Sequence, residues 1–213
     1  MLSELKGWDL MRIVDLSLPI HDGTPTPPSQ ARKIEVKTTY RSPGFWQASW
    51  LSMSTHTASH VDSQLHVIKD TPTIGSLPLE NFVGDAIVLD LTYKNANEPI
   101  TVEDLERFDG DIKEGDIVII RTDWADKKFG TDEYWSSFPY LTVEAAKWLV
   151  TKKPKAVGFD FFEEYNARFK DFKPDDFVVH KILLGNRIYL MEGFVNLGKV
   201  GKKGLSFLLL HSK

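Results

Sequence analysis

AIVLDL at residues 86–91 and DIVIIR at residues 116–121 are short apolar runs dense in β-branched residues, entered through Gly84-Asp85 and Gly115. Runs of this length with no polar alternation read as strands buried on both faces, as in parallel sheets covered by other elements. AVGFDF at residues 156–161 is a third. Residues 101–108 and 142–150 each open on a threonine followed by Val-Glu, the start of an N-capped helix. Helices alternating with buried strands predict an α/β layered domain rather than a sandwich or a bundle. Working outward, residues 175–184 read as a helix ended by Gly185-Asn186, and residues 188–191 as a further strand. Toward the N-terminus, residues 12–18 read as a strand stopped by Pro19, with a turn-rich loop over 22–29. Residues 31–40 alternate over Ile34, Val36 and Thr38 as a half-buried strand, whose mate is 45–53 across a Ser42-Pro43-Gly44 turn. Phe45 and Trp46 read as core, with aromatic contact to a substrate as the alternative.

Composition narrows the classes. The 213 residues are 42% hydrophobic and 26% charged, which excludes disordered and collagen-like chains. That length predicts one domain over 1–213, with residues 1–10 as a dispensable extension. Lys plus Arg total 26 against 30 Asp plus Glu, a net charge of -4, so no basic surplus offers itself to a nucleic-acid backbone. No apolar stretch approaches the roughly 20 residues of a membrane span, and no signal peptide is visible, so a cytoplasmic location is expected. Cysteine is absent, which removes disulfides, thiolate ligands and cysteine nucleophiles. Any metal must be held by histidine and carboxylate.

Three of the six histidines fall within HTASHVDSQLH, at His56, His60 and His66, with Asp62 among them. On a helix at about 100° per residue, His56 and His60 would share a face while Asp62 and His66 pointed elsewhere. The zinc-protease motif HExxH needs a glutamate where Thr57 stands, so that motif is absent. In an extended or looped backbone the four side chains are an even number of residues apart and can project to one side. Fully extended, ten residues would span about 33 Å, so the segment must fold back, and the small Thr57, Ala58 and Ser59 permit a tight turn. Imidazole with carboxylate suits a divalent transition metal such as Zn²⁺, Mn²⁺ or Fe²⁺ in a site open to water.

These residues resemble the cyclase family of metal-dependent hydrolases, which includes kynurenine formamidase and isatin hydrolase. The family signature HxGTHxDxPxH stands here as residues 56–66, with all three histidines and the aspartate present. An opening DLSxPI matches residues 15–20, GDxVLIRTGW matches 115–124, and VGFD stands at 157–160. HxxLLxxxIxIxExLxNL matches HKILLGNRIYLMEGFVNL at 180–197. The resemblance implies a compact β/β/α-layered swivelling domain with a mixed sheet and flanking helices. It implies one or two divalent ions, Zn²⁺ first and Mn²⁺ second. His56, His60 and Asp62 match the first-site ligands, His180 and Glu192 the remaining ones, and His66 the proton shuttle. A helix, a Gly185-Asn186 reversal and a strand between His180 and Glu192 would let both face one pocket. The implied assembly is a homodimer or homotetramer. Ala58, Ser59, Ser63 and Gln64 depart from the signature, and Asp123 replaces its RTGW glycine, adding a carboxylate near the end of a core strand.

The implied reaction is hydrolysis of a small-molecule carbonyl substrate, an amide, formamide or cyclic amide, through a metal-activated water with His66 carrying the proton. The competing readings are a cyclase or dehydratase, which consumes no water, and a non-catalytic metal-binding domain.

Overall fold

The three apolar runs lie side by side at the centre of one mixed sheet in the computed structural model, which describes residues 12–28, 33–169, 171–201 and 205–208. The strands are β1 (Glu35–Arg41), β2 (Trp46–Ser52), β3 (His60–Asp62), β4 (Val83–Asp90), β5 (Pro99–Ile100), β6 (Ile117–Arg121), β7 (Tyr140–Leu141), β8 (Ala156–Phe159), β9 (Tyr189–Glu192) and β10 (Leu205–Leu208). The helices are α1 (Val102–Glu106), α2 (Trp124–Lys128), α3 (Glu133–Ser136), α4 (Val143–Lys152) and α5 (Val178–Gly185). The main sheet runs β10-β4-β6-β8-β9-β3, with β4, β6, β8 and β9 parallel and the two edge strands antiparallel. A mixed α/β architecture results, as the alternation of elements predicts.

Burial explains why the central runs show no polar alternation. Ile87, Leu89, Val118, Ile120, Val157, Phe159 and Leu190 pack with Leu105 of α1, Leu149 of α4 and Leu183 of α5. Ala86, Val88, Ile117, Ile119, Ala156 and Met191 face the other way, under Phe82, Phe194 and Leu197. Helices therefore flank one face and connecting segments close the other. Both threonine caps form: Thr101 makes a capping box with Asp104, and the Thr142 hydroxyl accepts from Ala145 N at 3.1 Å.

Gly158, in the middle of β8, lies directly beneath the Phe194 ring, which a Cβ at this position would overlap. A Gly158→Ala variant is expected to lose about 1–3 kcal/mol of stability, the usual cost of overpacking a filled core. The urea midpoint measures it, and an unchanged midpoint would show that the ring swings aside freely.

Two strand expectations need correction. Residues 12–18 add no strand to the sheet: only Ser17 bridges, to Phe194, because the Asp15 carboxylate accepts the Ser17 N–H at 2.9 Å and turns the backbone locally. Residues 35–41 and 46–52 do pair, but as a two-stranded sheet of their own, in which only Val36, Thr39 and Ala48 are even partly shielded. Phe45 is 82% and Trp46 50% exposed, so neither is core and neither lines a pocket with the histidines. Among the described residues, no position of either strand is fully buried. The extension at 1–10 lies outside the described residues.

Candidate metal centre

Register brings the first carboxylate and imidazole together. β3 pairs antiparallel with β9 so that His60 stands opposite Glu192 and Asp62 opposite Leu190. Directly opposed residues share a face of the sheet, as do i and i+2 along a strand, so His60, Asp62 and Glu192 all point to the helix-covered side. His56 is returned to them by a turn in which Thr57 N donates to Ser54 O at 3.1 Å and Ala58 takes the left-handed conformation, with φ 57°. That conformation costs an L-residue roughly 1–2 kcal/mol, which explains why the signature has glycine there. Ser59 clamps the turn: its hydroxyl donates to Gly193 O at 2.6 Å and accepts from Leu18 N at 2.7 Å. Gly193 itself has φ 76°, and a Cβ there would press on the Ala58 carbonyl at 2.8 Å.

The remaining ligand candidate arrives from α5. His180 is 1% exposed, and its Nε2 lies 3.3 Å from Glu192 Oε1. Glu192 Oε2 is 3.4 Å from His60 Nε2, and His56 Nδ1 is 3.2 Å from that same nitrogen and 3.4 Å from Asp62 Oδ1. Gln64–His66 form one turn of 3-10 helix, which sets the His66 ring 4.2 Å from that of His56 and 5.5 Å from that of His180. All six residues singled out from the sequence thus meet in one place. Together with Glu163 they form overlapping groups, the donor atoms within each lying within 4.8 Å of one another: His56, Asp62 and His66; His60, Asp62 and Glu192; and Glu163, His180 and Glu192.

Glu163 and Glu164 are the members that sequence reading misses. Both follow β8, at the carboxyl end of a parallel strand, where the crevice of such sheets opens; two adjacent acids just past an apolar run were the available signal. The Glu164 carboxylate accepts from Val179 N at 3.0 Å and His180 N at 3.3 Å, holding the start of α5, and faces His180 Nδ1 at 3.3 Å. Asp160 accepts instead from Thr122 N, Thr122 Oγ1 and Asp123 N, tying β8 to the end of β6, although burial pushes its carboxyl up to about 7. Asp123 sits left-handed at φ 61° and gives its carboxylate to Arg121, at 2.6 and 3.0 Å. The additional acid in the RTGW segment therefore braces the strand end.

Charge in the centre is strongly coupled. Burial pushes Glu192 up, but His180, His60 and His56 outweigh it and hold the carboxyl down to about 2. Burial pushes His180 down, yet Glu163 foremost, with Glu164 and Glu192, raises it well above the usual imidazole range. His66 is pushed down to about 4, first by burial, with Asp62 opposing and His56 and His180 adding to the fall. Its ring is thus neutral at pH 7.

The donor set fits a divalent ion. Asp62 Oδ2, Glu192 Oε1 and both Glu163 oxygens are buried without a hydrogen-bond partner. Buried carboxylate lone pairs need a cation or donor to offset their lost hydration. The His60 Nδ1 lies 3.0 Å from the Ala58 carbonyl, which fixes the proton there and leaves Nε2 with its lone pair toward the centre. Aromatic side chains line the cavities beside the histidines: Phe129, Tyr134 and Phe161 in one, Phe177 in the other, and Trp135 and Phe162 in both.

Known proteins are similar to this chain in sequence and in fold. Kynurenine formamidase of Erythrobacter litoralis is 27% identical over 188 residues, covering 86% of this chain and 79% of that protein. Isatin hydrolase of Roseibium aggregatum is 26% identical over 207 residues, covering 89% and 77%. Among solved structures, isatin hydrolase A from Labrenzia aggregata bound to benzyl benzoate superposes with a TM-score of 0.77 at 25% identity, covering 91% of this chain and 84% of that one. The family described as putative cyclase matches residues 14–163, a span that takes in the segment anchored by Ser59, the histidine turn and the core strands beneath them. By that match the chain belongs to the cyclase family.

Proposed function

We propose that this chain is a metal-dependent hydrolase of non-peptide carbon–nitrogen bonds, acting on an amide, formamide or cyclic amide in the manner of an arylformamidase. The observation that carries the reading is the convergence of His56, His60, Asp62, His180 and Glu192, in which the buried Asp62 Oδ2 and Glu192 Oε1 accept no hydrogen bond and face only imidazole nitrogens. The names of the similar proteins, kynurenine formamidase and isatin hydrolase, support the bond type. Zn²⁺ is the ion we assign first, and Mn²⁺ second, from the nitrogen and oxygen donors. When bound, the ion supplies Lewis-acid polarisation of a carbonyl and activation of water.

The chain's own residues do the rest. His66, neutral at pH 7, takes a proton at a ring nitrogen and returns it to the departing amine nitrogen. Glu164 orients His180 and anchors the helix that carries it. Phe162, Phe177 and Trp135 line the approach, giving a flat aromatic substrate apolar surface to stack on and excluding bulk water.

The reading includes a cytoplasmic location and assembly as a homodimer or homotetramer; among the described residues no helix is long and apolar enough to cross a membrane. The hairpin supports self-association, with Tyr40, Phe45, Trp46, Trp50 and Leu51 all at least 50% exposed. Trp46 and Trp50 lie on one face of the hairpin and Tyr40 and Leu51 on the other, and an isolated two-stranded hairpin is marginally stable alone.

The test is turnover of an aryl formamide and of a cyclic amide in ¹⁸O-labelled water by metal-loaded protein. Label in the acid product supports hydrolysis. Unlabelled product moves the site to a lyase, and bound metal without turnover of any carbonyl substrate leaves a binding domain. Chelation is expected to abolish activity and to lower Tm, because at ion concentrations 1,000-fold above Kd the bound ion contributes about 4 kcal/mol. A Tm indifferent to chelator would mean that nothing bound offsets the buried carboxylates.

A further inference from the structure

We infer that Tyr134 is a catalytic residue for the proposed hydrolysis, donating a hydrogen bond from its phenol to the substrate's carbonyl oxygen as that oxygen takes on negative charge. The inference rests on the hydrolase reading above and adds a residue of α3, outside the histidine and carboxylate set. Tyr134 is 4% exposed and lines one cavity with His56, His60 and Glu192. Its backbone is fixed from two directions: Trp124 Nε1 donates to its carbonyl at 3.2 Å, and its own N–H donates to Thr131 O at 3.2 Å. The ring stands edge-on to Phe129, at 5.2 Å between centroids, and to Trp135, at 4.8 Å. These contacts set the phenol in place before a substrate arrives, as electrostatic stabilisation of a transition state requires.

The hydroxyl is the uncommitted end of this side chain. Among the described residues no group accepts a hydrogen bond from it or donates one to it, although buried tyrosine hydroxyls ordinarily find a partner. The charges that act on it are those of Glu192, Asp160 and Glu163, which stand at or just past the carboxyl ends of β9 and β8, on the side of the metal centre. With burial, they push the phenol up from its usual range, so it remains an O–H donor at neutral and alkaline pH. Few other groups in the cavity can fill that role. His60 Nδ1 is committed to the Ala58 carbonyl, and Leu18, Phe129, Phe161 and Phe162 carry no donor. Next along α3, Trp135 lines the same cavity, and its indole N–H, which can only donate, is buried without an acceptor. The α3 wall thus presents donors from which no described group accepts, the complement of a carbonyl oxygen.

The role follows from where charge moves. As the oxygen of water bonds to the carbonyl carbon, the π pair of the C=O bond shifts onto its oxygen, and the water's proton passes to His66. The Tyr134 O–H strengthens its hydrogen bond to that oxygen without giving up its proton. The pair then returns to re-form the C=O bond, the C–N bond breaks, and the nitrogen leaves with the proton from His66. A donor that binds the tetrahedral oxyanion better than the planar carbonyl acts on kcat rather than on KM.

The experiment compares metal-loaded wild type and Tyr134→Phe in turnover of an aryl formamide, in metal content by elemental analysis, and in affinity for an aryl phosphonamidate, a tetrahedral anion, and for a planar aryl amide that is not turned over. Tyr134→Phe is expected to keep its metal and its affinity for the planar amide, to lose about 10²-fold in kcat with KM little changed, and to bind the phosphonamidate more weakly by a similar factor. Full kcat, unchanged phosphonamidate affinity, a loss confined to KM, or loss of metal in the variant overturns the inference and leaves the hydrolase reading in place. Wild type that turns over no carbonyl substrate overturns both. Circular dichroism checks that the variant folds. If it does not, a crystal structure of wild type with the phosphonamidate decides: a phenol oxygen within about 3 Å of a phosphonyl oxygen supports the assignment, and one beyond hydrogen-bond reach ends it.

Discussion

A His60→Ala variant is expected to lose both its metal and its turnover. His60 stands at the crossing of the centre, with its Nε2 3.2 Å from His56 Nδ1, 3.4 Å from Glu192 Oε2 and 3.7 Å from Asp62 Oδ2. Its proton is fixed on Nδ1 by the Ala58 carbonyl, so Nε2 is pre-set to offer its lone pair to an ion. Removing even an outer partner of a ligand costs about 10–100-fold in metal affinity, and removing the ligand itself exceeds that. Elemental analysis of purified protein measures the effect. Metal retained at wild-type level in the variant would place the ion elsewhere, on His180 and Glu192 alone, and would end the assignment of His60.

The second large effect is at His66, and it separates binding from chemistry. His66→Ala is expected to keep its metal while turnover falls by about 10²–10⁴-fold, the usual worth of a positioned proton carrier. Its ring lies 4.2 Å from that of His56 and 5.5 Å from that of Phe177, between the candidate ligands and the aromatic wall. Burial pushes its imidazole down to about 4, so at neutral pH it is a base ready to accept a proton. The loss should fall on kcat rather than KM, since the ring moves a proton in the transition state instead of holding substrate. A variant with full kcat would remove His66 from the reaction, and one that lost its metal would make it a ligand, as its grouping with His56 and Asp62 allows.

Much of the centre was legible because its residues are neighbours in the chain. His56, His60, Asp62 and His66 lie within eleven residues, and their even spacing requires a non-helical backbone if they are to converge. The structure supplies that backbone as a turn, a three-residue strand and one turn of 3-10 helix. The helix, reversal and strand from His180 to Glu192 were readable for the same reason. The β-branched runs showed the parallel core strands because burial on both faces leaves no room for polar alternation.

What could not be read depends on contacts far apart in sequence. Nothing near Glu163 or Glu164 announces that α5, docked by Val179, Leu183 and Leu184 against the sheet, brings His180 over them. Ser59 reaches Gly193 across 134 positions. The alternation of residues 34–38 shows that a strand can bury one face, and only the tertiary structure reveals that among the described residues the burial stops at Ile34, leaving most of the hairpin exposed. By itself, then, the sequence determined the local conformations, the buried strands and the chemistry of the histidine cluster, because propensity and side-chain periodicity act over a few residues. The strand register that sets Glu192 against His60, the helix docking that adds Glu163 and Glu164, and the exposure of the hairpin were decided by packing across the whole domain, which no local pattern encodes.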